Sequence, residues 1–197
     1  EFKKMLKIGI TGSIGCGKSH VCKFIQSLNY PVYSSDEQAK KIVYKTNIRK
    51  AIEALLGPKS YINGNYNITF IRDKIFKDDQ LLTKLNSIIH PEVFKDFITF
   101  KEEHQSRGKQ IVFLESALIF ETGRQHDLDS IILIEAPLEI RLKRVMKRTG
   151  MTAEKFYQIS QKQMSDSQKR QLANFMIVND EITPFMQVLL DYIGTFN

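Results

Sequence analysis

The sequence predicts an α/β fold in which a parallel five-stranded sheet is flanked by helices. Three observations predict it. Short apolar runs alternate with helical stretches towards both ends of the 197-residue chain, a pattern typical of parallel sheets. A glycine-rich loop, residues 12–19, joins the first apolar run to the first helix. Between residues 47 and 107 the alternation gives way to mostly helical sequence, which predicts an insertion.

The same reading divides one domain into three parts. The predicted core comprises residues 5–46, 108–140 and 173–197, the helical insertion residues 47–107, and a small helical lid residues 141–172. A chain of this length is long enough to bury a proper core.

Composition narrows the class of protein. A net charge of +7 fits either nucleic-acid binding or attraction of polyanionic small substrates. The basic residues are scattered and no nucleic-acid module is recognisable, so we expect small anionic substrates and no nucleic acid. No stretch approaches the 18 or so apolar residues of a membrane span, and the two cysteines suit a reducing compartment. We expect a cytoplasmic protein, with no membrane partner, that is a monomer or weak oligomer.

The loop of residues 12–19 reads G-S-I-G-C-G-K-S, which is the pattern G-x-x-x-x-G-K-[ST] between a strand and a helix. Backbone N–H groups of such a loop line an anion site, and the helix that follows points its positive end at it. Lys18 is expected to reach the β- and γ-phosphates, and the Ser19 hydroxyl to bind Mg²⁺. The alternative is a glycine-rich turn without a ligand. We therefore predict a phosphate-loop NTPase-type fold that binds ATP through Gly12, Ser13, Ile14, Gly15, Cys16, Gly17, Lys18, Ser19 and His20.

The first helix is predicted over residues 20–28, and Val32-Tyr33 begins a second strand. Ser35 is the predicted N-cap of a helix over residues 37–44. Asp36 therefore follows the carboxyl end of a strand, where open α/β sheets place their chemistry.

The insertion is predicted to hold helices separated by a turn at Asn63-Gly64. Before that turn comes a helix over residues 48–56, and helices over 68–76 and 79–89 follow it. His90-Pro91 is expected to break the chain before a further helix over residues 92–105.

The run 110–114 predicts a fully apolar strand that ends at Glu115. A strand that delivers an acid beside a phosphate loop is the Walker B arrangement, in which the carboxylate holds Mg²⁺. The alternative is an acid that merely caps the next turn. Residues 130–135 and 175–178 predict the remaining strands, and Pro137 and Pro184 are expected to open helices.

The helix after Pro137 carries Arg144 and Arg148, four residues apart on one face. Phosphoryl transfer needs cations to neutralise the charge of the transferred group, and lid arginines are a common source. A solvated basic face is the alternative. Thr152 is the predicted cap of a helix over residues 153–163, and a polar stretch follows to residue 172.

These motifs together resemble the dephospho-CoA kinase family from residue 8 to about residue 180. Residues 8–19 are close to that family's opening, I-G-L-T-G-G-I-G-S-G-K-S-T. Ser35-Asp36 with Ala39 resembles the end of its D-A-D-x-x-A element, and residues 89–91 its L-H-P element. Residues 114–121 are similar to its D/E-x-P-L-L-F-E element, and Arg144 and Arg148 match its R-x-x-x-R. Gln163 and Asn179 match a lid glutamine and an asparagine after the last strand.

The resemblance implies transfer of the γ-phosphoryl group of ATP, with Mg²⁺, to the 3′-hydroxyl of the dephospho-CoA ribose, the last step of coenzyme A synthesis. It implies that Asp36 is the base that accepts or orients the hydroxyl proton, with Lys18, Arg144 and Arg148 as catalytic cations. It places Leu118, Ile119 and Phe120 near the acceptor. His90 has two readings, an acceptor contact or a structural residue at the kink.

This sequence departs from the family pattern at several positions. Ser34 replaces the first aspartate of D-A-D, and His20 replaces the threonine after Lys-Ser. Ala117 replaces the proline of P-L-L-F-E, and Ala173-Asn174 stands for the usual A-D. Lys18, Asp36 and Glu115 remain in place, so we expect a divergent but active enzyme.

Competing functions lack their motifs. An adenylate-type kinase carries D-G-F-P-R after its third strand, where residues 115–119 read E-S-A-L-I. Another small nucleoside or nucleotide kinase remains the alternative. A GTP-binding switch needs an N-K-x-D guanine motif, which does not occur in the sequence.

Overall fold

The computed structural model describes residues 4–76 and 78–196. Its contacts divide the chain into two compact units. The sheet unit comprises residues up to 33 and from 104 onward, and the helical unit comprises residues 34–103. The helical unit therefore begins earlier than residue 47, where the sequence predicts the insertion to start. The functional division into core, acceptor-binding insertion and lid stays a prediction.

Seven strands occur in the described residues: β1 (Leu6–Thr11), β2 (Val32–Ser34), β3 (Tyr61–Ile62), β4 (Asn65–Tyr66), β5 (Ile111–Glu115), β6 (Ser130–Glu135) and β7 (Phe175–Val178). Nine α-helices occur there: α1 (Lys18–Ser27), α2 (Ser35–Ile42), α3 (Thr46–Leu56), α4 (Ile68–Phe76), α5 (Asp79–Ser106), α6 (Leu138–Thr149), α7 (Ala153–Lys162), α8 (Asp166–Leu172) and α9 (Phe185–Gly194). Short 3₁₀ turns lie at Pro58–Ser60 and Arg124–Asp127.

The main sheet has five strands in the order β2-β5-β1-β6-β7, and β1 pairs in parallel with both β5 and β6. β6 in turn pairs in parallel with β7. β5 is buried along its whole length and β6 along nearly all of it, as apolar strands covered on both faces must be. The predicted parallel five-stranded sheet flanked by helices is confirmed.

The described residues of the sheet unit include a large hydrophobic core around β1. It packs Ile8 and Ile10 of β1 against Val21 and Ile25 of α1 and Leu189 of α9. Because β1 lies at the centre of the sheet, this core fixes the position of the loop that leaves its carboxyl end. Both cysteines, Cys16 and Cys22, are free and buried in the same core.

Side-chain capping hydrogen bonds mark the starts of α7 and α8. The Thr152 hydroxyl accepts a hydrogen bond from Lys155 N, so the predicted cap of α7 is confirmed. The prediction that Ser35 is an N-cap is wrong by one residue, since Ser34 holds that position. α8 lies in the stretch before residue 172 for which only polar sequence is predicted. The capping box formed by Ser165 and Gln168 is the sequence signal that marks the start of this helix.

α5 contradicts the predicted break at His90-Pro91. The helix runs without interruption from Asp79 to Ser106, with Pro91 inside it. Proline costs an interior helix about 3 kcal/mol by removing one hydrogen bond and crowding a carbonyl. The helix buries four apolar side chains at helical spacing along its length, and this burial offsets the cost: Leu85, Ile89, Val93 and Phe97.

In the helical unit the turn at Asn63-Gly64 joins β3 to β4, as the sequence predicts. Tyr61 of β3 donates a hydrogen bond to the Val43 carbonyl at 2.5 Å. Within residues 4–76 and 78–196, no helix combines the length and apolar content needed to cross a bilayer.

Candidate nucleotide and acceptor site

The glycine-rich loop connects β1 to α1 in a conformation that its glycines permit. Gly17, the N-cap of α1, has a left-handed φ of 94°, and a Cβ there would lie 2.0 Å from Asn179 Nδ2. A Cβ at Gly12 would lie 2.3 Å from the Ile134 carbonyl oxygen. Hence no side chain fits at either position. The loop therefore presents backbone at the amino-terminal end of α1, an arrangement suited to phosphate.

Lys18, in the first turn of α1, folds back across the loop. Its Nζ donates a hydrogen bond of 2.8 Å to the Gly12 carbonyl. This contact holds an ammonium group over the loop, where phosphate oxygens could replace the carbonyl as its acceptor. Ser19 and His20 follow and are exposed, and the His20 ring packs edge-on against Phe185 with centroids 5.4 Å apart.

Side chains far away in the sequence hold the loop. Asn179 Nδ2 donates to the Cys16 carbonyl at 3.0 Å, and Asn179 is buried after β7. Ile14 N donates to Gln163 Oε1 at 2.9 Å. Gln163 and Asn179 are among the motif positions that the resemblance identifies, yet the prediction assigned them no role in the site. Their position in the motif was the signal that could have found them.

A further loop contact lay beyond the reach of sequence reasoning. Ser13 Oγ donates to Asp166 Oδ1 at 2.5 Å, and Asp166 Oδ2 accepts from Arg141 Nη2 at 3.0 Å. Asp166 therefore links the loop to α8, and its carboxylate is also bound by Arg141 of α6. No motif marks this contact, because Ser13 stands where the family usually has glycine.

Arg144 lies beside the loop and Arg148 does not share its contacts. The Arg144 guanidinium donates to the Asn179 carbonyl at 3.1 Å and pairs with Glu181, also at 3.1 Å. Its Nη1 lies 3.6 Å from the point that a Cβ of Gly17 would occupy. Arg148 is exposed in the last turn of α6. The structure therefore brings one of the two predicted arginines to the phosphate loop.

Glu115 ends β5 opposite Ile10, the last residue but one of β1. Its side chain is buried, and Ser116 N donates to the Ile10 carbonyl at 3.1 Å. The carboxylate also acts on the neighbouring thiol: burial, and then the charge of Glu115, raise the pKa of Cys22 to about 12. A strand-end acid thus lies close to the root of the loop.

The part of the chain that the structure describes contains no cluster of three or more histidine, cysteine, aspartate or glutamate side chains able to hold a metal ion. Mg²⁺ bound together with phosphates does not need such a cluster. Mg²⁺ commonly takes one or two protein oxygens and completes its shell with water and substrate phosphates. The Ser19 hydroxyl and the Glu115 carboxylate are hard oxygen donors of that kind.

The predicted acceptor residues fall into different environments. Ile119 and Phe120 are buried, and they form a small cluster with Ile131. Leu118 is half-buried. In the helical unit, Asp36 is exposed in the first turn of α2, and His90 is half-buried inside α5. Leu118 is therefore partly accessible to solvent, whereas Ile119 and Phe120 are packed inside the protein.

Comparisons of the sequence with known proteins identify a matching family and its relatives. The family model for dephospho-CoA kinase matches residues 6–184. The dephospho-CoA kinase of Bacteroides fragilis is 35% identical over 190 residues, which cover 96% of this chain and 92% of that protein.

Two solved structures extend the comparison. A Thermus thermophilus protein of known structure has a TM-score of 0.86 at 31% identity, with 98% of each chain covered. The dephospho-CoA kinase of Campylobacter jejuni, at 24% identity and 96% coverage of each chain, has a TM-score of 0.69 and bears on the fold. With a family model matched over nearly the whole chain and a relative above 30% identity, the chain belongs to the dephospho-CoA kinase family.

Proposed function

We propose that this protein transfers the γ-phosphoryl group of ATP to the 3′-hydroxyl of the dephospho-CoA ribose, giving coenzyme A and ADP. The match of the family model over residues 6–184 carries the proposal. In the transfer, the bond between the γ-phosphorus and the β,γ-bridging oxygen breaks and a bond to the 3′-oxygen forms. The hydroxyl proton leaves the acceptor.

The donor side is proposed to work mainly by electrostatics. Phosphoryl transfer with a loose transition state leaves little covalent chemistry to the protein, so positioning and charge neutralisation dominate. Lys18 would exchange its Gly12 carbonyl for phosphate oxygens, and Arg144 beside Gly17 would neutralise charge on the transferred group. Arg148 is proposed as a second lid cation that reaches the nucleotide when the lid closes.

Mg²⁺ is the proposed metal, held by the hydroxyl of Ser19 and the carboxylate of Glu115. When bound with ATP it would offset the negative charge of the phosphates. The buried position of Glu115 supports this role, because a carboxylate shielded from water interacts strongly with a cation.

The acceptor side is proposed to centre on Asp36. Its carboxylate would accept or orient the proton of the 3′-hydroxyl, a role that needs correct position more than a raised pKa. Leu118, with Ile119 and Phe120 beneath it, is the proposed apolar wall for the acceptor. His90 is proposed as a further acceptor contact.

The proposed ligands are therefore ATP and dephospho-CoA, with a protein that is a monomer or weak oligomer. The proposed compartment is the cytoplasm, since both cysteines are buried thiols of the kind that a reducing environment maintains. Sedimentation velocity across a range of protein concentrations would test the oligomeric state.

A panel of acceptors tests the function. The protein is incubated with Mg-ATP and, separately, with dephospho-CoA, adenosine, AMP, shikimate or pantothenate, and ADP release is followed by a coupled assay. We expect release with dephospho-CoA and formation of coenzyme A, identified by mass spectrometry. Turnover with another acceptor, and none with dephospho-CoA, would contradict the proposal.

A further inference from the structure

A short segment between α7 and α8 contacts two functional loops of the sheet unit at once. This bridging segment, residues 163–169, runs from Gln163, the C-cap of α7, through the first half of α8. One of its sides contacts the phosphate loop. The other contacts residues 116–123, the loop that follows β5 and carries the proposed apolar wall of the acceptor site.

Two successive residues of the phosphate loop bond to the segment. Ile14 N donates to Gln163 Oε1 at 2.9 Å, and Ser13 Oγ donates to Asp166 Oδ1 at 2.5 Å. A carboxylate acceptor makes the second bond charge-assisted and therefore stronger than an ordinary hydroxyl bond. The amino-terminal half of the loop thus has a direct attachment to α8.

Arg141 fixes the carboxylate that makes this attachment. Its side chain is 7% exposed, and its Nη2 lies 3.0 Å from Asp166 Oδ2. Among the described residues, Arg141 Nε and Nη1 have no hydrogen-bond partner. A buried guanidinium whose other donors are unsatisfied depends on its one carboxylate, since an unpaired buried charge is costly. Asp166 is therefore held between the arginine and Ser13.

The opposite side of the segment is held by Glu121, the last residue of the element that resembles P-L-L-F-E. Its Oε1 accepts from Met164 N at 2.9 Å. The same oxygen lies 3.1 Å from Nζ of Lys169, whose side chain is fully buried. That contact is an ion pair outside hydrogen-bond geometry, since Lys169 Nζ makes no hydrogen bond to the described residues.

We infer that Asp166 and Glu121 are positioning residues through which the bridging segment couples nucleotide binding to acceptor binding. ATP that orders the phosphate loop also fixes Ser13, Asp166 and the start of α8. The ordered segment then holds the loop after β5 through Glu121. Each substrate binds more tightly when the other is present, and linkage requires the two effects to be equal. This inference rests on the proposed function.

Calorimetry tests the coupling. The affinity for a non-hydrolysable ATP analogue is measured with and without saturating dephospho-CoA, and the reverse titration checks reciprocity. We expect dephospho-CoA to tighten analogue binding by about fivefold or more in the unmodified protein. Asp166→Ala and Glu121→Gln should each reduce that factor by about twofold or more, towards a value of one.

Arg170→Gln is the matched control. Arg170 is on the same helix, but its Nε donates a hydrogen bond of 2.8 Å to Glu135, which is at the end of β6 and outside both functional loops. It should keep the coupling factor of the unmodified protein. If Asp166 and Glu121 had only a structural role, substituting them would lower the melting temperature and leave the coupling factor unchanged. That result would overturn the inference, and so would a coupling factor below about twofold in the unmodified protein.

A double-mutant cycle keeps the inference separate from the proposed function and from folding failure. Ser13→Ala and Asp166→Ala, singly and combined, are compared for binding of the ATP analogue alone. The double variant should lose less affinity for the analogue than the product of the two single losses, because each substitution removes the same hydrogen bond between Ser13 and Asp166. If the loss in the double variant equals the product of the single losses, Ser13 and Asp166 act independently, and the attachment of the loop to α8 is refuted. Absence of dephospho-CoA turnover in the unmodified protein would instead refute the proposed function.

Discussion

The polar contacts of the phosphate loop join distant residues, whereas several ion pairs of the helical unit are local. The Ser13–Asp166 and Asn179–Cys16 hydrogen bonds of the loop join residues 153 and 163 positions apart in the sequence. In the helical unit, by contrast, Arg49 pairs with Glu53 one helical turn along α3. The contacts of the loop can form only when distant parts of the sheet unit have folded together. An ion pair such as Arg49–Glu53 forms within a single helix.

This difference has an energetic consequence. Pairs one turn apart on an exposed helix contribute a few tenths of a kcal/mol, because water screens them and side-chain entropy opposes them. A buried pair such as Lys169–Glu121 is different, since losing one partner leaves a charge in a poorly solvated site. Single substitutions at the buried ion pair should therefore cost more stability than single substitutions at the exposed ion pairs of the helical unit.

The largest expected effect is that of Lys18→Ala in the loop. Removing the ammonium that neutralises phosphate charge should lower kcat by at least about 10²–10³-fold. Lys23→Ala, an exposed lysine on the same helix, is the control and should keep near-normal kcat. Steady-state kinetics with Mg-ATP and dephospho-CoA provide the measurement. Comparable losses in the two variants would assign the effect to general charge rather than to the loop.

In the helical unit, Asp36→Asn should produce the next largest effect. Loss of the base that orients the hydroxyl should reduce kcat by about 10²–10⁴-fold while nucleotide affinity stays unchanged. Glu37→Gln, the next residue of α2, is the control, because Glu37 is exposed and paired with Lys40. The kinetics are paired with calorimetric titration of an ATP analogue. Near-normal kcat in Asp36→Asn would show that the base lies elsewhere.

The same contrast explains how much could be predicted from sequence. The loop, β6, β7 and the acid at Glu115 have local signals, namely glycine spacing and unbroken apolar runs. The contact of Ser13 with Asp166 has none, because no pattern in the chain records a distance across 153 residues. The roles of individual site residues in either unit remain predictions.

The sequence patterns did not reveal the continuity of α5 or the presence of α8, for different reasons. Tertiary burial overrides the local effect of Pro91, so α5 continues where propensity predicts a break. α8 has only seven residues and a polar sequence, and just one of its side chains is buried, Lys169. An apolar periodicity could not reveal it, although the capping box at Ser165 could have.

A smaller effect concerns folding stability and compares the two kinds of ion pair. Lys169→Met should lower the free energy of unfolding by about 1–3 kcal/mol, since Glu121 loses its partner but keeps some access to water. Glu53→Gln in α3 should lower it by only about 0.2–0.5 kcal/mol. Urea denaturation followed by circular dichroism measures both. If the two losses were equal, the contrast between the regions would not hold.

The last effect is absent at neutral pH and appears only at high pH, again with one group in each region. Burial, and then the charge of Glu115, raise the pKa of Cys22 from 9.0 to about 12, and burial raises that of Tyr61 from 10.0 to about 12. Both groups keep their protons longer in the native state than in the unfolded chain. The stability that they contribute is therefore complete below pH 9 and 10 respectively, and is lost as pH rises towards 12.

Substitution separates the two contributions. In urea denaturation across this pH range, Cys22→Ala should remove the part of the decline that begins near pH 9, in the sheet unit. Tyr61→Phe should remove the part that begins near pH 10, in the helical unit, besides losing its bond to the Val43 carbonyl at every pH. Unchanged pH profiles in both variants would mean that these groups titrate alike in the native and unfolded states. Because the charge of Glu115 contributes to the raised pKa of Cys22, Glu115→Gln should lower that pKa and shift the first part of the decline.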